Sequence, residues 1–286
     1  MVRDGSVGSP AGPTGAPPAG TAPRGRLTRR QHAQLRRLAV YAVTLAFAGY
    51  LVVSIDWPEL QGAFFDPGIF QEQFPEILTI AARNTLIFTF FAFTGGLAIG
   101  LVLALMRLSS IGPYRWFAIV YIEIFRGIPA LVTLIAVGYV LPIALGVRIP
   151  GEYGPGAVGL SVVAGAYMAE TIRAGIEAVP KGQMEAARSL GMGRGLAMAT
   201  IIIPQAFRIV IPPLTNELVL LVKDTSLLFV LGTTTQTEEL TKFARDAAGE
   251  SFNGTPLIAA ACVYLLITIP LTYLARRLER QAGRAR

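Results

Sequence analysis

The chain has 286 residues, of which 53% are hydrophobic and only 15% charged, and its mean hydropathy is +0.54. Soluble domains average about 25% charged residues, so the composition disfavours one, and the apolar residues fall in long runs that point to a polytopic membrane protein. The net charge of +7 raises nucleic acid as a partner, and the placement of those charges decides against it below.

Residues 1–26 are mostly Pro, Gly, Ala, Ser and Thr with scattered Arg. Such a segment cannot bury enough apolar surface to order itself, which predicts a disordered basic tail over 1–37. Arg29, Arg30, Arg36 and Arg37 then abut an apolar run from Leu38 to Ile55. A cleaved signal peptide needs a shorter lead and small residues at its end; Asp56-Trp57-Pro58-Glu59 follows instead, so the run reads as a retained membrane span.

A spanning helix needs about 20 mostly apolar residues. That length picks out six spans, near 38–55, 79–106, 117–145, 157–176, 206–231 and 256–275. The stretch 177–205 is too polar to span and reads as one or two short helices at the membrane surface. With six spans both termini share a side. Nineteen Lys and Arg fall in the segments on that side and three on the other, so the termini are expected in the cytoplasm. The basic excess is thus spread as topology signals rather than gathered into a nucleic-acid patch.

The spans carry Asn84, Glu123, Arg126, Glu170, Asn216, Glu217, Lys223 and Asp224 within or at their edges. A charge at a helix centre costs about 2.5–3.5 kcal/mol on insertion scales, so such residues usually face a bundle interior or a water-filled path. Glu123 and Arg126, three apart, can simply pair. Pro129, Pro142, Pro212 and Pro213 interrupt the helices. Polar residues on broken helices point to a transport path.

Catalysis finds little support. One cysteine, Cys262, and one histidine, His32, in the tail exclude an internal disulfide, a structural zinc site, a Cys–His pair and an internal Ser-His-Asp triad. Gly is nowhere followed by Lys, so no phosphate loop exists and the chain is not itself a P-loop ATPase. No catalytic or metal-binding residues are assigned, and no cofactor.

Residues 180–204 run from Pro180 through Glu185-Ala186-Ala187, Gly191 and Ile201 to Pro204. This resembles the cytoplasmic signature of bacterial ABC importer permeases, EAA, three residues, G, nine residues, I-x-L-P, with Ile203 in place of Leu. The flanks Ala166-Tyr167-Met168-Ala169-Glu170-Thr171-Ile172-Arg173-Ala174-Gly175, Pro213-Leu214-Thr215-Asn216 and Lys223-Asp224-Thr225-Ser226-Leu227 look like the polar amino-acid permeases, the group that moves histidine, arginine, glutamine and glutamate. Glu123-Ile124-Phe125-Arg126-Gly127-Ile128-Pro129 is similar to their E-x-F-R-G-T-P, with Ile128 for Thr. The resemblance covers about 79–280 and leaves the tail and first span as an added N-terminal element.

It implies an all-α, polytopic membrane helical bundle of the type I ABC importer permease (MetI-like) fold with an extra N-terminal span, in a bacterial plasma membrane. It implies as partners ABC ATPase subunits that carry ATP-Mg, a second permease subunit, identical or related, and an extracytoplasmic amino-acid-binding protein. The coupling residues it points to are Gly182, Glu185, Ala186, Ala187, Gly191, Ile201 and Pro204. The sequence gives a physical account of that loop. Pro180 stops one helix, and Gly182 and Gln183 open the next, with Glu185 expected in its first turn, where a carboxylate favours the helix dipole. Ala186 and Ala187 are small enough for close approach by another protein, and Gly191 and Gly193 end the helix. The plainer alternative is an amphipathic helix resting on lipid.

A zwitterion needs partners for both its charges. Glu170 or Asp224 can face an ammonium, and Asn84, Thr225, Ser226 or the exposed amides of a broken helix a carboxylate; Glu123, Asn216, Glu217 and Lys223 complete the candidates. Structural roles compete: Lys223 and Asp224 can pair with each other's neighbours, and Glu170 with Arg173 can brace the start of the loop. Two other functions compete as well: an ion-coupled secondary transporter, for which no inverted repeat is visible, and an intramembrane hydrolase built on Lys223 and Ser226.

Overall fold

The computed structural model describes residues 29–232 and 234–284; of the disordered tail expected over 1–37, residues 1–28 lie outside them and 29–37 are helical instead. The described residues form helices and connections, with no strand. The chain divides into two units, Met1–Asp56 and Trp57–Arg286. The first holds α1, Arg29–Ser54. It begins nine residues before the apolar run at Leu38, because Arg, Gln, Ala and Leu all favour helix.

The second unit opens with two short helices, α2 (Trp57–Phe64) and α3 (Pro67–Glu72). Asp66 caps α3, its carboxylate accepting from the amides of Gly68 and Ile69, as a helix start requires. After a wide turn at Ile77–Ala82, α4 runs from Arg83 to Arg107. Next come α5 (Gly112–Gly127), α6 (Ala130–Ile135) and α7 (Leu141–Leu145). The long α8 (Gly154–Glu177) leads to the short α9 (Lys181–Ser189) and α10 (Arg194–Ala197). Last are α11 (Ile203–Asp224), α12 (Leu240–Ser251) and α13 (Thr255–Arg284).

The centre of this unit is α8. Of its 24 residues, thirteen are buried, and small residues allow α4 to lie close against it. A Cβ on Gly96 would stand 2.8 Å from that of Ala164, and one on Gly100 would stand 2.8 Å from that of Met168 and 3.0 Å from the Ala169 amide nitrogen. Only glycine fits at either place. The core around this seam joins Phe88, Leu134, Leu160, Met168, Leu214 and Leu228. A second core, of Ile77, Ala81, Leu240, Ala244, Ala259 and Val263, gathers α12, α13 and the wide turn ahead of α4.

Three spans differ from the sequence expectation of six. At the fourth, α8 is not among the helices long and apolar enough to cross a membrane, which among the described residues number four, or five with the broken third counted as one. The third is broken: Gly112–Gly127 and Ala130–Leu145 meet at 109°, because Ile128 and Pro129 are both extended and a residue before proline disfavours helix. The fifth starts twelve residues early, as one helical run from Arg194 to Val230. Of the expected surface stretch, only the part up to Gly193 is separate from it. The other prolines bend without breaking. Wide turns at Ala136–Val140 and Met198–Ile202 lie just ahead of Pro142 and Pro204, where they absorb the ring and the missing donor; Pro212 and Pro213 lie inside α11.

Candidate functional site

The break in the third span opens a cleft of about 490 Å³. Arg126 and the extended pair Ile128-Pro129 form one wall, Val163 and Tyr167 of α8 another, and Glu217, Leu220 and Asp224 of α11 the third. Glu217 and Asp224 are two turns apart and so share a helix face. Arg126 lies in the last turn of α5, and its guanidinium carbon lies 5.5 Å from the ring centroid of Tyr167, within cation–π range. None of Arg126, Glu217 and Asp224 is in an ion pair among the described residues. A guanidinium and two carboxyl groups thus face one recess, each with hydrogen-bonding capacity to spare.

The other path candidates do not converge there. Asn84 is 1% exposed and fully engaged: its amide donates to the carbonyls of Gln236 (2.8 Å) and Glu238 (3.0 Å), and its oxygen accepts from the Tyr153 hydroxyl at 2.6 Å. It ties α4 to the 236–239 loop. Thr225 is buried and donates to the Val222 carbonyl at 2.7 Å. Glu170 pairs with Arg107 of α4 and, at 2.7 Å, with Arg173, which also bonds Glu177 at 2.5 Å. This ladder braces the end of α8, the structural role, and leaves no carboxylate oxygen for an ammonium. Glu123, Asn216 and Lys223 are exposed and Ser226 half-buried, and none of them lines the cleft. Glu123 makes no pair with Arg126, and no hydrogen bond joins Lys223 to Ser226 among the described residues, so the hydrolase arrangement is not assembled. Tyr153, Tyr167 and Arg126 were not singled out as site residues from sequence. Arg126 and Tyr167 each lie in a segment that resembles the permeases, Arg126 next to Gly127 and Pro129, whereas Tyr153 carried no signal.

At the other candidate surface, Pro180 (ψ 130°) precedes α9. Glu185 is its fifth residue, in the second turn rather than the first, so the helix dipole does little for it. Gly182, Glu185 and Ala186 are exposed, but Ala187 is only 2% exposed. It faces the chain's own side, where Met184 packs with Val179, Ile202 and Ala206, and is withdrawn from any partner. Gly191 has φ +83°, with its amide on the Arg188 carbonyl (3.0 Å) and the Met192 amide on that of Ala187 (3.1 Å). This pair of bonds is the glycine stop of a helix. Ile201 and Pro204 belong to the helical run that re-enters the core; Ile201 packs in the cluster behind α9, whereas Pro204 is exposed.

A buried carboxylate that sequence did not reveal lies in the 232–256 segment. Glu239, 0% exposed, caps α12 by accepting from the amides of Thr241 (2.7 Å) and Lys242 (2.8 Å), and takes the Tyr264 hydroxyl at 3.0 Å. Burial pushes its carboxyl up to about 7, against the opposing pull of those donors.

Residues 96–284 match the family described as binding-protein-dependent transport system inner membrane component. A putative glutamine transport system permease protein of Rickettsia bellii is 37% identical over 210 residues, 72% of this chain and 94% of its own. The arginine transport system permease protein of Bacillus subtilis is 36% identical over 187 residues, 65% of this chain and 83% of its own. Among solved structures, an amino acid ABC transporter with histidines gives a TM-score of 0.68 at 37% identity, covering 76% of this chain and 98% of that one. An inward-facing methionine ABC transporter shares the fold, with a TM-score of 0.56 at 22% identity over 70% of this chain and 91% of that one. These matches leave the ion-coupled alternative without support. The chain is a multi-pass membrane permease that belongs to the binding-protein-dependent transport system inner membrane component family.

Proposed function

We propose that the chain passes a polar or charged amino acid through the cleft at the broken third span, in an importer driven by ATP hydrolysis on separate ATPase subunits. The observation that carries this reading is the cleft's charge pattern. Arg126 can take the carboxylate in a two-point contact, and Glu217 and Asp224 stand opposite for an ammonium or a basic side chain. Both charges of a zwitterion need partners inside the membrane. The names of the relatives agree with it, being those of glutamine and arginine permeases.

In this reading a binding protein delivers the amino acid from outside, and a second permease subunit, identical or related, completes the path. The knob α9 seats on the ATPase through Gly182, Glu185 and Ala186, and Gly191 fixes its angle. The termini and α9 face the cytoplasm, by the Lys and Arg distribution. The tail and α1 are an addition to a core at about 79–280; the family match begins at residue 96.

The test is uptake into vesicles holding the chain with its ATPase and binding protein. Glutamate, glutamine, arginine or histidine should compete with the transported solute. Competition by sugars, metals or peptides alone overturns the substrate class, and ATP hydrolysis by the purified chain alone overturns the division of labour.

A further inference from the structure

The last turns of α13 carry a feature that the transport reading does not use. A recess of about 450 Å³ is lined by Tyr273, Arg276, Arg277, Arg280 and Gln281. The three arginines are exposed and enter no ion pair among the described residues. Spacings of three, four and seven residues put them on one face of the helix with Tyr273, while Glu279, three residues after Arg276, lies at the edge of that face and does not line the recess. The same face runs back through Ile269 and Leu266. Leu266, Ile269 and Tyr273 are 67%, 61% and 70% exposed.

Along a single stripe the chemistry therefore passes from aliphatic to aromatic to triply cationic. Orientation signals account for arginines near the end of a span, but not for their alignment with an exposed apolar track and an interfacial tyrosine. An acidic protein surface would match the arginines and leave the track unused. An amphiphile with a phosphate head matches both: guanidinium groups grip phosphate oxygens in two-point contacts, and basic clusters at span ends attract anionic headgroups. We propose that this stripe is a binding site for one anionic phospholipid, its phosphodiester head on Arg276, Arg277 and Arg280 and an acyl chain along Leu266 and Ile269.

The test uses the full chain in mild detergent, titrated with phosphatidylglycerol or phosphatidylcholine of identical acyl chains and read by native mass spectrometry. Phosphatidylglycerol should bind about tenfold more tightly than phosphatidylcholine. The variant R276Q/R277Q/R280Q should lose that preference, whereas R29Q/R30Q/R37Q, which removes the same charge from α1, should keep it. Leu266→Ser leaves every arginine in place and should weaken phosphatidylglycerol by about threefold or more. Thermal unfolding of each variant checks that it remains folded. Inorganic phosphate in large excess should not displace the lipid; displacement would make this a simple anion site and overturn the proposal. Equal loss in both arginine variants, or no headgroup preference in the unaltered chain, also overturns it. So does intact lipid binding in R276Q/R277Q/R280Q combined with loss of a co-purified ATPase, which would assign the arginines to that partner.

Discussion

The guanidinium of Arg126 lies over the ring of Tyr167, 5.5 Å from its centroid, rather than beside Glu123 on its own helix. The contact joins α5 to α8 beside the break in the third membrane segment, and both residues line the cleft. Because the ring holds the cation without neutralising it, the guanidinium remains available to an anion.

Removing that cation should therefore strike transport. Arg126→Gln is expected to lower uptake by tenfold or more, since loss of one charged hydrogen-bond partner costs about 1.5–3 kcal/mol. Asp224→Asn should weaken basic substrates more than neutral ones. Initial uptake rates in reconstituted vesicles, with protein content matched, measure both. Unchanged rates in the two variants would remove the cleft from the path.

Glu170 should behave as a brace and not as a substrate contact. Glu170→Gln strips Arg107 and Arg173 of their shared carboxylate, which is partly buried at 17% side-chain exposure. A loss of about 1–3 kcal/mol is expected, between the values for exposed and for buried pairs. Thermal unfolding in detergent reads it. The apparent affinity for the amino acid should stay the same.

Gly191→Val tests the knob. No atom stands within 4 Å of a Cβ there, and the φ of +83° costs a non-glycine residue about 1–2 kcal/mol. The variant should insert normally and yet fail to transport. Gly193→Ala is the control, because φ −61° suits any residue. Glu185→Lys should also impair coupling, through its exposed contact with a partner and not through the helix dipole. Pull-down of the ATPase and uptake together decide the matter.

Glu239 makes stability depend on pH. Its carboxyl rises from 4.5 to about 7 in the folded chain, so between those values the folded state holds the proton that the unfolded state has released. Stability should then fall as pH rises through this window, by about 3 kcal/mol at 1.36 kcal/mol per unit. Glu238 shifts in the same direction, through burial and the nearby Asp246 and Glu250, with Lys242 opposing. Glu239→Gln should flatten the profile. Unfolding temperatures at about pH 5 and pH 8 for both proteins measure the difference, and an identical slope in the two would exclude Glu239 as its source.

Composition and run length by themselves determined that the chain is helical and membrane-embedded, because apolar runs near the thickness of a bilayer admit few other structures. The signature at 180–204 likewise announced the short helix α9 and its glycine stop, since both are local: a helix start at Pro180 and a left-handed residue at Gly191 depend on neighbours in the chain. Tertiary structure alone decided which polar residues share a space. Asn84 and Asp224 look alike in sequence, as polar groups in apolar runs. One is consumed by carbonyls more than 150 residues away, whereas the other opens into the cleft. Ala186 and Ala187 are adjacent and identical, and only the packing of α9 on the 198–206 helix turns one outward and buries the other. Hydrogen-bond saturation and facing are set by contacts between distant segments, and a linear pattern of residue types carries no record of them.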